Sequence, residues 1–150
     1  MTEDKPLQGS PVSRGTEGIE GLRVLYADDH PEMRRAVGRL LRVAGASVTL
    51  ARDGLEATDK ALAESFDLIL MDLRMPRMDG FDAARALRAA ECRVALIAVT
   101  ADATPRVLEN AIAAGFDAAL PKPFDLVDLI TAIHLVRERR SAQRRDSGPP

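Results

Sequence analysis

Five short apolar runs alternate with five segments of helical period along this chain, and strict alternation of that kind leaves few folds open. The runs occupy residues 24–27, 47–50, 68–71, 94–99 and 118–120. After the first, Pro31 suits an opening helical position, and Met33, Val37, Leu40, Leu41 and Ala44 recur at helical spacing before Gly45 stops the helix. Asp53 and Glu56 have capping-box spacing and open a second helix to about Glu64. Asp79 caps a third with Phe81, Ala84 and Leu87. Thr104 and Pro105 start a fourth, closed by Gly115, and Leu126, Leu129, Ile130, Ile133 and Val136 mark the fifth. Helical crossovers between strands imply a parallel sheet covered on both faces. The continuous runs (first, third, fourth) suit central strands, and the alternating second and weak fifth suit edges. Right-handed crossovers then favour the order 2-1-3-4-5, an α/β three-layer sandwich of flavodoxin-like (βα)5 type.

With 150 residues the chain has room for one domain of this kind. The expected organisation is a Gly- and Ser-rich leader over 1–21, a folded domain over 22–137, and a basic tail over 138–150, frayed and solvated. A net charge of −2 points to neither a nucleic-acid nor a membrane surface. No apolar run approaches the ~20 residues that span a bilayer. Cys92 is the single cysteine, so no internal disulfide framework is available, a reducing cytoplasm is the simplest compartment, and the thiol is expected to be inert.

The third run ends in a carboxylate, Asp72, followed by Met75-Pro76 and the Asp79-Gly80 turn. Charge at the rim of a core is costly unless something pairs with it. In an open parallel sheet, function gathers beyond the carboxyl ends of the strands, where the order reverses. Asp28 and Asp29 end strand 1, Asp72 strand 3 and Thr100 strand 4, and Lys122 follows strand 5. Carboxylates ~4 Å apart repel by about 4 kcal/mol per pair at an effective dielectric near 20, which calls for a proton or a cation. An all-oxygen, partly open site suits Mg²⁺ (or Mn²⁺). Asp72 could then serve as a nucleophile that accepts a phosphoryl group, with Lys122 and Thr100 meeting its oxygens. Lys122 is one of 3 lysines beside 18 arginines, and a compact ammonium near phosphate is not interchangeable with a guanidinium.

Taken singly these residues have plainer readings: a helix cap for Asp28-Asp29, a strand-closing hydroxyl for Thr100, a surface lysine for Lys122. His30 reads as a solvated loop histidine and His134 as partly packed or solvated.

Taken together, Asp28-Asp29, Asp72, Thr100, Lys122-Pro123 and the segment from Met75 to Gly80 resemble a response-regulator receiver domain of two-component signalling, over about residues 22–137. The resemblance implies that Asp72 is the phospho-acceptor, fed by a histidine kinase or a histidine phosphotransfer protein. It implies that Asp29, Asp72 and the backbone carbonyl of Arg74 hold Mg²⁺, with Asp28 acting through water. Lys122 would pair with the phosphoryl group. Thr100 would move toward it and switch the surface of helix 4, strand 5 and helix 5, which could also serve a homodimer.

One position departs from the pattern: Ala119 stands where receivers usually carry tyrosine or phenylalanine. Phe116 is at the wrong offset to replace it, so the chemistry is expected intact and the output switch altered. The rival reading is an interaction module of receiver fold whose phosphorylation no longer matters. On the receiver reading, the resemblance implies no enzyme activity beyond the domain's own phosphorylation and dephosphorylation. No Gly-rich nucleotide loop or Gly-x-Ser-x-Gly elbow is present, and the chain has no room for a DNA-binding output domain. It is either a stand-alone receiver or one domain of a longer protein, with a leaning to the receivers of hybrid histidine kinases.

Overall fold

All five apolar runs form strands in the computed structural model, which describes residues 18–146. They make one parallel sheet in the order β2-β1-β3-β4-β5, as the alternation predicts. In chain order the elements are β1 (Arg23–Ala27), α1 (Pro31–Val43), β2 (Ser47–Ala51), α2 (Gly54–Ala63), β3 (Leu68–Asp72), α3 (Gly80–Ala89), β4 (Ala95–Thr100), α4 (Pro105–Ala114), β5 (Ala118–Pro121) and α5 (Leu126–Asp146).

The period of two divides each central strand between two cores. Leu25, Ile69, Met71, Leu96 and Ala98 face α2, α3 and α4, where Ala57, Ala83, Leu87 and Ala111 meet them. Val24, Tyr26, Leu68, Leu70, Ile97 and Val99 face α1 and α5, against Leu41, Leu129, Ile133 and Val136. β3 is buried at all five positions, as expected of a strand covered on both faces.

The helix caps follow the sequence. Asp53 accepts the Glu56 N–H at 2.8 Å, and the Glu56 carboxylate reaches back to the Arg52 N–H at 2.6 Å. Asp79 caps α3 through the Asp82 N–H, and Thr104 caps α4 through the Val107 N–H. Gly45, just past α1, has φ of +102°, a conformation that glycine adopts without strain.

Two boundaries differ from expectation. Ile19, expected in the leader, is fully buried in the α1/α5 core. At the other end, α5 does not stop near residue 137 but runs to Asp146. Its extension is tied down by Arg140, which pairs with Asp117 Oδ2 at 3.0 Å and donates to the Arg93 carbonyl at 2.7 Å. Neither pairing can be read from local sequence pattern, because both partners come from distant loops. Residues 1–17 of the expected leader and 147–150 of the expected tail lie outside the described residues. Among the described residues, no helix is long and apolar enough to cross a membrane.

Candidate functional site

The pairing of β1 with β3 sets Ala27 level with Met71, so Asp28 and Asp72 follow at the same height at the carboxyl end of the sheet. Asp28 is fully buried and Asp72 nearly so. β5 pairs with β4, and the Lys122 N–H extends that ladder to the Thr100 carbonyl at 2.8 Å. This aims the lysine back across the strand ends. Its Nζ lies 2.6 Å from Asp72 Oδ2 and 3.5 Å from Asp28 Oδ2. Burial opposes the ammonium charge, but the hydrogen bond to Asp72 and the charges of Asp72 and Asp28 outweigh it, so the Lys122 pKa is raised. One cation thus offsets part of the repulsion among the acids.

Each carboxylate has its own supports. Asp72 Oδ1 accepts the Arg74 N–H at 3.1 Å. Asp28 Oδ1 accepts the His30 N–H at 2.9 Å, and Asp28 Oδ2 accepts the Tyr26 hydroxyl at 2.6 Å. Burial first, then the hydrogen bond to Asp28, push the Tyr26 phenol far above its ordinary range, so it stays a donor at working pH. Gly80 opens α3 directly against the acceptor strand: a Cβ there would lie 2.5 Å from the Asp72 carbonyl oxygen, so only glycine fits.

Asp29 Oδ1 is different. It is buried and, among the described residues, has no hydrogen-bond donor. His30 Nδ1 stands 3.3 Å from this oxygen and 3.3 Å from Asp28 Oδ1. Asp28, Asp29, His30 and Asp72 each offer a ligand atom within 4.8 Å of the others. A buried carboxylate oxygen without a donor, beside two more carboxylates, fits a hard divalent cation. The site opens into a cleft of about 720 Å³ lined by Asp29, His30, Arg74, Met75, Pro76 and Phe81.

The structure thus brings Asp28, Asp29, Asp72 and Lys122 together, with Arg74 at the lip. Thr100 is on the strand end but is turned elsewhere: its buried hydroxyl donates to the Asp102 carbonyl at 3.1 Å and accepts the Asp102 N–H at 3.0 Å. Asp102 also pairs with Arg74 at 3.6 Å, across the mouth of the site. Ala119 lies at the edge of the α2–α4 core, level with Ala98, while Phe116 is buried within that core. His30 is largely exposed, as expected, although its ring also touches both acids. His134 is exposed on α5 and Cys92 is half-buried. Sequence reasoning passed over Tyr26, counting it only as part of an apolar run. The available signal was its spacing: two residues before Asp28, it shares a side of the strand with that acid. A second cleft, of about 710 Å³, lies at the amino ends of β4 and β5, where Arg88 and Arg140 both pair with Asp117.

An open parallel sheet with its acids at the reversal of strand order and a lysine reaching over them is the arrangement expected of a receiver domain. Residues 24–134 match the response regulator receiver domain model. The chain is 34% identical over 128 residues to the response regulator MprA of Mycobacterium sp. (strain KMS), covering 85% of this chain and 54% of that protein. It is 36% identical over 107 residues to the sensor protein EvgS of Escherichia coli (strain K12), covering 71% of this chain and 9% of that one. The chain therefore spans about half the length of the response regulator and a small part of the sensor protein. Among solved structures it is similar to the receiver domain of the sensor histidine kinase PA1611 from Pseudomonas aeruginosa PAO1, in which a magnesium ion is coordinated in the active site cleft. That likeness has 38% identity and a TM-score of 0.71, covering 77% of this chain and 96% of that one. The chain belongs to the response regulator receiver family and is a receiver domain of two-component signalling.

Proposed function

We propose that this receiver takes a phosphoryl group onto Asp72 from the phosphohistidine of a histidine kinase or a histidine phosphotransfer protein. The observation that carries the reading is the Asp72–Lys122 contact at 2.6 Å, inside a cluster of acids that includes an unsatisfied Asp29 oxygen. Lys122 orients Asp72 through that contact. In the transfer, a carboxylate oxygen of Asp72 forms the new P–O bond while the P–N bond to the donor imidazole breaks, and the electron pair of that bond returns to the ring nitrogen. Lys122 then follows the negative charge onto the phosphoryl oxygens.

Asp29, Asp72 and the Arg74 backbone carbonyl are the groups that would hold Mg²⁺ (or Mn²⁺), with Asp28 acting through water. Such an ion supplies positive charge to phosphoryl oxygens as they pass from donor to acceptor.

The output step departs from the usual one. Thr100 starts from a hydrogen-bonded pair with Asp102, and Ala119 offers no aromatic ring to follow a movement of that hydroxyl. A relay or phosphate-sink role, in which phosphate passes without a large surface change, is the form of output we infer. A homodimer through α4, β5 and α5 belongs to the same proposal, since Ile112 and Val127 are exposed there.

Intact-protein mass spectrometry after incubation with Mg²⁺ and acetyl phosphate tests the acceptor. One added phosphoryl group is expected in the parent, and none in Asp72→Asn or with EDTA. A parent that binds Mg²⁺ yet takes no label from either acetyl phosphate or a phosphorylated histidine donor would leave the fold as an interaction module and sink the proposal.

A further inference from the structure

Tyr26 is the chain's single tyrosine, and there is no tryptophan. Its ring is fully buried in the core that packs against α1 and α5. An aliphatic residue would fill that place with no polar group to satisfy, whereas a buried phenol needs a partner. The partner is Asp28 Oδ2, at 2.6 Å. Lys122 also approaches that oxygen but stays at 3.5 Å, and sits instead at 2.6 Å from Asp72. The other Asp28 oxygen takes the His30 N–H at 2.9 Å. The carboxylate is therefore held from both sides, one oxygen from the core and one from the β1–α1 loop.

We propose that Tyr26 is a positioning residue of the acidic site: its hydroxyl holds the Asp28 carboxylate in place for a divalent cation and leaves Lys122 to Asp72. The proposal rests on the reading of the site given above. Without the hydroxyl, a buried carboxylate oxygen keeps a single, more distant donor. It then either rotates out of place or draws Lys122 away from Asp72, and both outcomes spoil the arrangement of acids. Groups that orient metal-holding side chains commonly change metal affinity by tenfold or more when removed.

Tyr26→Phe removes one oxygen and keeps the ring. Mg²⁺ alone, titrated into the parent and into Tyr26→Phe and followed by amide NMR shifts of the β1–α1 and β3–α3 loops, measures affinity apart from any transfer. About tenfold weaker binding is expected in the variant. Equal or tighter binding in a variant with a dispersed, folded spectrum overturns the positioning role, since a merely structural hydroxyl would lower stability and leave the affinity unchanged. A parent that binds no Mg²⁺ overturns the reading of the site itself, and this proposal with it. Should Tyr26→Phe fail to fold, the parent decides. Its tyrosine emission arises from Tyr26 alone and must change saturably with Mg²⁺ at the midpoint of the amide shifts. An unresponsive Tyr26 in a Mg²⁺-binding parent overturns the proposal.

Discussion

Lys122 Nζ and Asp72 Oδ2 meet at 2.6 Å across fifty residues of chain. The contact joins the end of β5 to the end of β3 over the intervening β4. It places one positive charge between two buried acids, and this charge has two consequences of opposite sign. Lys122→Ala should cut phosphoryl uptake from acetyl phosphate about 100-fold, the usual scale for removing one charge-stabilising donor. The same change should tighten Mg²⁺ binding about tenfold, because the ammonium no longer competes for the acids. Labelling rates and a Mg²⁺ titration of the same variant check both halves.

Ala119 is half-buried at the edge of the α2–α4 core, and on the proposed reading it leaves no aromatic ring to follow Thr100. Ala119→Phe should restore that coupling. With Mg²⁺ and beryllofluoride, a phosphoryl mimic, amide shifts in the parent should stay close to the β1–α1, β3–α3 and β4–α4 loops. In the variant they should spread over α4, β5 and the start of α5. Ala119 is half-buried, so a stability change below about 1.5 kcal/mol is expected. Large shifts across α4 and α5 in the parent would show that its switch is already complete.

Asp53 both caps α2 and holds the β3–α3 loop, through Arg77 Nη2 at 2.6 Å and Nε at 3.0 Å. Arg77 sits in that loop with φ of +69°. The Glu56 N–H, and after it Arg77, hold the Asp53 carboxyl below the usual carboxylate range against the opposing effect of burial. A depressed folded pKa stabilises fully above the ordinary value of about 4, and the contribution is lost as pH falls through the folded value. Asp53→Ala should therefore cost about 1–2 kcal/mol at pH 7. The gap between parent and variant in urea unfolding should narrow below pH 4.

Arg140 ties the extension of α5 to the β4–β5 side through Asp117 and the carbonyl of Arg93. Arg140→Ala should speed hydrogen exchange in the turns of α5 beyond Val136, with slower change in the rest of the helix. A loss of about 1 kcal/mol in global stability is expected from the removed charge-assisted hydrogen bonds, discounted for their partial exposure. Unchanged exchange would mean that the extension is held by helix propensity alone.

Much of the architecture was legible because it rests on local periods. The runs ending at Ala27, Met71 and Val99 announce central strands through continuous apolar character. The caps at Asp53, Asp79 and Thr104 announce helix starts, because a short polar side chain satisfies the nearest orphan N–H groups. From there the topology follows, and topology brings Asp28, Asp29, Asp72 and Lys122 to one end of the sheet. The α5 extension was missed because a run of arginines reads as solvated until a partner such as Asp117 is seen beneath it.

What the sequence determined by itself, then, was the order of the strands and which residues share their carboxyl ends. Where the hydroxyls and charges point was decided only by the tertiary structure. Nothing local distinguishes a Thr100 hydroxyl turned to Asp102 from one turned to Asp72, or a Tyr26 that merely fills the core from one that donates to Asp28. Period and propensity act over a few residues and set the backbone. A side-chain hydrogen bond across strands depends on register, burial and the competition among several partners for one oxygen, and those are settled only when the whole sheet is assembled.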